Sequence, residues 1–208
     1  MKGLSFSEPM VRAWLAGNKT VTRRLIKVPA IGISGLAAPD DWNRGRADMR
    51  MPTFETWGPQ SGNHLFLSDT GTVFALKSFY LPGETVYIKE TWTVDEIVGH
   101  YLDGSESGEI SRKIYYKSDH TFPAMPAPVI RWKSPRFMPE WAARSHALIV
   151  SVRPERVQEI TEQEAQKEGF NCPSEFGRLA FKTIWESLHL RSWEKNDWVW
   201  RIELEKKP

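Results

Sequence analysis

The chain has 208 residues, of which 40% are hydrophobic and 26% charged, and a formal net charge of +2. That length suits one domain with a real core, or one domain carrying a large insertion. So small a net charge excludes a protein whose grip on nucleic acid rests on overall charge, and leaves that role to local basic clusters.

In chain order the first element is a helix over 8–17. Val11, Trp14 and Leu15 recur at helical spacing, Pro9 suits a first turn, and Gly17 suits the left-handed residue that ends a helix. A strand over 19–26 follows, which places Lys19, Val21 and Arg23 on one face and Thr20, Thr22 and Arg24 on the other. From 27 to 80 the chain is punctuated from Pro29 to Gly71 and reads as a loop-rich insertion. Within it, Leu65–Leu67 and Val73–Leu76 flank Ser68-Asp-Thr-Gly71 as a hairpin. Pro82-Gly83 then turns the chain into a strand over 85–89, rich in Val, Tyr and Ile. Further strands are expected at 114–117, 146–153 and 198–204, the last burying Trp198 and Trp200. Thr161 and Glu164 form a capping box for a helix over 161–168 that Gly169 closes. A second helix over 175–188 carries an apolar stripe at Phe176, Leu179, Ala180, Ile184 and Leu188. Short strands interrupted by three helices predict an α+β fold, built as a small mixed barrel rather than a doubly wound sheet.

Two segments carry the strongest signal together. Early on, the helix runs into Ala16-Gly-Asn-Lys-Thr-Val-Thr-Arg-Arg24; later comes Ile160-Thr-Glu-Gln-Glu-Ala-Gln-Lys-Glu-Gly169. Between and after them lie Pro82-Gly-Glu-Thr-Val-Tyr-Ile-Lys-Glu-Thr-Trp92, Trp132 to Arg144, and Asn196 to Leu204. The ordered set resembles the ASCH domain family, in its larger form often carried by phages and prophages. The resemblance implies a single PUA-like domain over 1–208, a barrel with packed helices, with 27–80 inserted. It also implies a partner that is a modified nucleoside or a single-stranded nucleic acid, RNA ahead of DNA.

The ASCH subgroup with a defined activity removes the acetyl group from N4-acetylcytidine. It uses a lysine, a threonine three residues on, and a glutamate in the later helix. Carried over, these are Lys19, Thr22 and Glu168. The chemistry is coherent: a threonine hydroxyl needs a base, a lysine shielded from water can serve as one, and a carboxylate can hold that amine. Arg24 would orient a carbonyl or steady an oxyanion. Residues three apart on a regular strand face opposite sides, so Lys19 and Thr22 meet only if the strand bends or bulges.

Glu90, at a strand end, and Arg136 and Arg144, in a proline-bounded loop, would wall the ligand pocket. Trp132 and Trp141 flank that basic loop, where rings beside cations suit base stacking, although tryptophans also close small cores. Lys19, Thr22, Arg24, Glu90 and Glu168 are therefore expected at one cleft. Two function classes follow, an amidohydrolase acting on an N-acylated base and a non-catalytic binder of single strands. No metal or cofactor is expected: the five histidines show no ligand spacing, and neither a P-loop nor a dinucleotide fingerprint occurs. The lone Cys172, beside Pro173, excludes an internal disulfide and fits a reducing compartment. With no apolar run of membrane-span length and no signal-like apolar stretch after Met1, the expected location is the cytoplasm of a bacterium or phage-infected host.

Overall fold

The computed structural model describes residues 1–26, 63–67, 73–100, 106–119, 131–170 and 172–207, so most of the expected insertion lies outside the described residues. The first half forms β1 (Lys2–Ser5), α1 (Glu8–Leu15), β2 (Val21–Leu25), β3 (Asn63–Leu67), β4 (Val73–Lys77) and β5 (Thr85–Lys89). The second half adds β6 (Trp92–His100), β7 (Glu106–Tyr116), β8 (His146–Arg156), α2 (Glu162–Lys167), α3 (Gly177–Leu188) and β9 (Trp198–Lys206). The fold is mixed α+β. Five strands make one sheet in the order β1-β5-β8-β9-β2, with β1 parallel to β5 and the other neighbours antiparallel. Two antiparallel ribbons stand apart from it, β3 with β4, as the hairpin reading expects, and β6 with β7.

The alternation along β9 sorts the core into two layers. Trp198, Trp200, Ile202 and Leu204 pack with Val11 and Trp14 of α1, while Val199 joins Ala165, Phe181 and Trp185 of α2 and α3. Successive strand residues point to opposite faces, so one strand serves both layers. The buried Trp14 indole N–H donates to Ser145 Oγ at 2.7 Å, leaving no orphan donor there.

Four expectations need correction. The sheet does not close into a barrel. β1 and β2 are its two edges, and the chain leaves the four-residue β1 directly for α1, so no backbone ladder spans the gap. A side chain bridges it instead, the Arg24 guanidinium donating to the Ser5 carbonyl. The capping box forms only halfway: Thr161 accepts from the Glu164 N–H, but the Glu164 carboxylate turns to Arg201 and Arg23, since charged donors outcompete a backbone amide. In α3 the buried stripe is Gly177, Phe181 and Trp185, whereas Leu179 and Leu188 are 60% and 69% exposed. Lastly, Lys2–Ser5 contributes a strand, and the β6–β7 ribbon extends well beyond 114–117.

No helix among the described residues is long and apolar enough to cross a membrane.

Candidate functional site

Lys19 lies just ahead of β2, where its backbone bridges that of Glu168 at the end of α2. Its side chain is 2% exposed. The ammonium folds forward along its own chain and donates to the Val21 carbonyl at 2.7 Å, the Glu168 carbonyl at 2.9 Å and Glu168 Oε2 at 2.7 Å. The ring centroid of Phe6 lies 5.0 Å from Nζ. Burial pushes the lysine below its ordinary pKa, and the adjacent Glu168 carboxylate opposes that shift.

Gly169 makes this approach feasible. Its φ of +95° is a left-handed conformation, and a Cβ there would sit 2.6 Å from the Ala13 Cβ and 3.2 Å from the Lys19 Cβ. Glycine at 169 thus both ends α2 and lets α1 and Lys19 close onto it.

Arg23 is wholly committed to carboxylates. Nε donates to Glu155 at 2.6 Å, Nη1 to Glu168 at 3.1 Å and Nη2 to Glu164 at 3.1 Å. Arg201 adds two bonds to Glu164, at 2.9 and 3.1 Å, and one to Glu203 at 3.2 Å. Arg201 is the main cause that holds the Glu164 carboxyl at a pKa of about 2. This ionic lattice pins α2 to β2, β8 and β9.

The lattice backs onto a cavity of about 120 Å³ at the free edge of β2. Ser5, Phe6, Ser7 and Met10 line it from the β1–α1 turn, Lys19, Thr22, Arg23 and Arg24 from β2 and its approach, and Glu168 and Phe170 from beyond α2. Phe181, Trp185 and His189 close the other wall. Lys19 and Thr22 both line the cavity without a bulge inside β2: the β2–β9 register runs unbroken from Val21 to Leu25, and Lys19 lies ahead of it in its own bridge to Glu168. Thr22 is a buried residue, and its hydroxyl makes no hydrogen bond among the described residues.

Of the other sequence-selected residues, Glu90 and Arg144 form a second centre. Glu90, 2% exposed, accepts from Arg144 at 2.8 and 2.9 Å and from Ser118 Oγ at 2.6 Å. Arg144 also donates twice to Asp119 at 2.8 Å and lies 4.1 Å from the Tyr116 ring centroid. None of Glu90, Trp132, Arg136, Trp141 and Arg144 lines the cavity; Lys19, Thr22, Arg24 and Glu168 do. Trp141 is 57% exposed and packs edge-on against Trp92, Trp132 is half-buried, and Arg136 is exposed. Sequence reasoning missed Trp185 and His189 as cavity residues. A lone histidine after an amphipathic helix carries no motif, and Trp185 lies off the apolar stripe that spacing picks out in α3.

The described residues hold no cluster of His, Cys, Asp and Glu suited to a metal. Comparison with known proteins finds no matching family model, no matching curated protein and no matching solved structure.

Proposed function

We propose that this chain is an ASCH-type, PUA-like protein whose cavity hydrolyses the N-acyl group of a modified base, N4-acetylcytidine being the reference substrate. The supporting observation is the Thr22 hydroxyl, without a hydrogen-bond partner among the described residues, in the wall of a cavity that also holds the buried Lys19–Glu168 pair. In its neutral form, which burial favours, Lys19 keeps two N–H donors, gives up one of its three hydrogen bonds and gains a lone pair. That lone pair takes the Thr22 proton as Oγ bonds to the acyl carbon. The carbon–nitrogen bond then breaks, with the proton returned to the leaving exocyclic nitrogen. Water next cleaves the acyl-threonine ester and releases a carboxylate. Phe181 and Trp185, which face the cavity, suit a flat heteroaromatic ring.

The test is incubation with N4-acetylcytidine and chromatographic detection of cytidine. Absence of release by folded protein rejects the activity.

A second reading rests on a different surface. Phe137 and Trp141, 71% and 57% exposed, sit beside the exposed Arg136 and Lys133 in one loop. Exposed rings interleaved with cations suit stacking and phosphate contact with a single strand, RNA ahead of DNA.

A further inference from the structure

The cations around the cavity are not equally matched. Lys19 pairs with Glu168, and Arg23 pairs with Glu155, Glu164 and Glu168. Arg24, on the same wall, forms no ion pair among the described residues. Its one hydrogen bond goes to the neutral Ser5 carbonyl. A guanidinium offers five N–H donors in a planar fork, so four donors of this half-buried group have no partner among the described residues. Enclosure by protein lowers the pKa of this group, and the fields of Tyr80 and Glu168 oppose that shift only in part. A half-buried guanidinium with spare donors on a cavity wall suits an anionic ligand.

The second observation is the element facing Arg24. Ser5, Phe6, Ser7 and Met10 bring the first turn of α1 to the cavity. Ser7, the N-cap, makes no capping bond with its side chain, and Pro9 occupies the first turn. The Met10 N–H has no partner among the described residues, so an orphan donor and the positive end of the helix lie on the same cavity as Arg24. Nearby groups do not cancel this field. Glu168 is tied up by Lys19 and Arg23, and Glu8 by Arg12 and Lys117. The Tyr80 phenol, raised in pKa by burial, donates to the Gly3 carbonyl at 3.0 Å, and burial and Arg24 lower the pKa of His189.

We infer that the cavity contains an oxyanion subsite formed by Arg24 and the first turn of α1, so its ligand is an anionic small molecule bearing a terminal phosphate or carboxylate. Resting on the hydrolase reading, this makes the substrate a nucleotide-like N-acyl compound rather than a neutral nucleoside, or makes the released carboxylate a ligand that the site retains. The two sources share one chemistry, a group of oxygens facing a fork of N–H donors.

Intrinsic tryptophan fluorescence and calorimetry of the full chain, titrated with inorganic phosphate and separately with acetate at ionic strength held constant with chloride, test the inference. Saturable binding of at least one anion is expected, at least about tenfold weaker in Arg24→Gln and intermediate in Arg24→Lys, because loss of a charge-assisted contact has about that effect. Phosphate preference identifies a phosphomonoester, and acetate preference a carboxylate. Failure of folded wild-type protein to bind either anion overturns the subsite, as does binding that Arg24→Gln leaves unchanged. If Arg24→Gln does not fold, the wild-type titration and Arg24→Lys still decide. Comparing turnover of N4-acetylcytidine with that of its 5′-monophosphate separates the two readings: anion binding with neither compound hydrolysed rejects the hydrolase and keeps the subsite.

Discussion

Lys19 and Glu168 stand 149 residues apart in the chain, yet are joined by backbone and side chain together. Their main chains form an isolated bridge, and the ammonium grips both the carbonyl and the carboxylate of Glu168. The contact therefore serves two purposes. It locks the approach to β2 against the end of α2, and it places a buried, neutralisable amine beside the cavity. Lys19→Met removes the amine and leaves Glu168 with Arg23 alone. A loss of about 3 kcal/mol in unfolding free energy is expected, since breaking a buried pair strands the other charge. Urea denaturation measures it, and a change below about 1 kcal/mol would show the pair to be dispensable.

Thr22→Val distinguishes chemistry from architecture. The hydroxyl holds nothing in place, so stability should change by less than about 1 kcal/mol. Under the hydrolase reading, turnover of N4-acetylcytidine should vanish while ligand binding persists. A Thr22→Val variant that still releases cytidine at the wild-type rate removes Thr22 from the nucleophile's role.

Gly169→Ala tests the close approach. The substitution forces a side chain into a left-handed backbone and into Ala13, at a cost of about 1–3 kcal/mol. Adding Ala13→Gly relieves the contact but not the φ strain, so it should restore part of the loss. Thermal unfolding of the single and double variants checks this, and a double variant no better than the single one would place the whole cost in the backbone.

The pH dependence of stability carries a defined sign. The Glu164 carboxyl sits near 2 in the fold against an ordinary 4.5, so its contribution is present above 4.5 and is lost as pH falls toward 2. Glu164→Gln should flatten the acid limb of the stability curve within that window and leave the limb above pH 5 unaltered in slope. Unfolding midpoints between pH 2 and 6 measure it; an unchanged acid limb would mean that other carboxylates drive acid unfolding.

Much of the site was legible because it depends on local chemistry. Helix stops at Gly17 and Gly169, the cap at Thr161 and the strand at 85–89 follow from residue type alone. What stayed hidden depends on tertiary choice. Whether the sheet closes depends on where β1 exits into α1, and no residue pattern encodes that. The two apolar stripes of α3 differ little in hydrophobicity, and only the partners offered by Val157, Trp193 and Val199 select Phe181 and Trp185 for burial. Glu90 sits at the strand end as expected, yet Arg144 and Ser118 claim it, a pairing across 54 residues that sequence spacing does not signal.

That second centre supplies the last test, which also separates enzyme from binder. Arg144 is the main partner of a buried carboxylate, so Arg144→Ala should destabilise the fold by about 3 kcal/mol through the stranded Glu90. Arg136 is exposed, so Arg136→Ala should unfold like wild type, whereas Trp141→Ala loses the edge-on contact with Trp92 and should cost about 1 kcal/mol without unfolding the chain. If the 131–144 loop binds a single strand, Arg136→Ala should weaken that binding and reduce the salt slope by about 0.7, the value for one phosphate contact on a single strand. Trp141→Ala should cost about 1–3 kcal/mol of stacking without altering the slope. Neither change should alter hydrolysis of a small N-acyl substrate, because neither residue lines the cavity. Titrations with short RNA and DNA at two salt concentrations, run beside the hydrolysis assay on the same variants, read both functions. Unaltered RNA affinity in both loop variants would reject the binding surface, whereas loss of hydrolysis in either would show that the loop reaches the cavity during turnover.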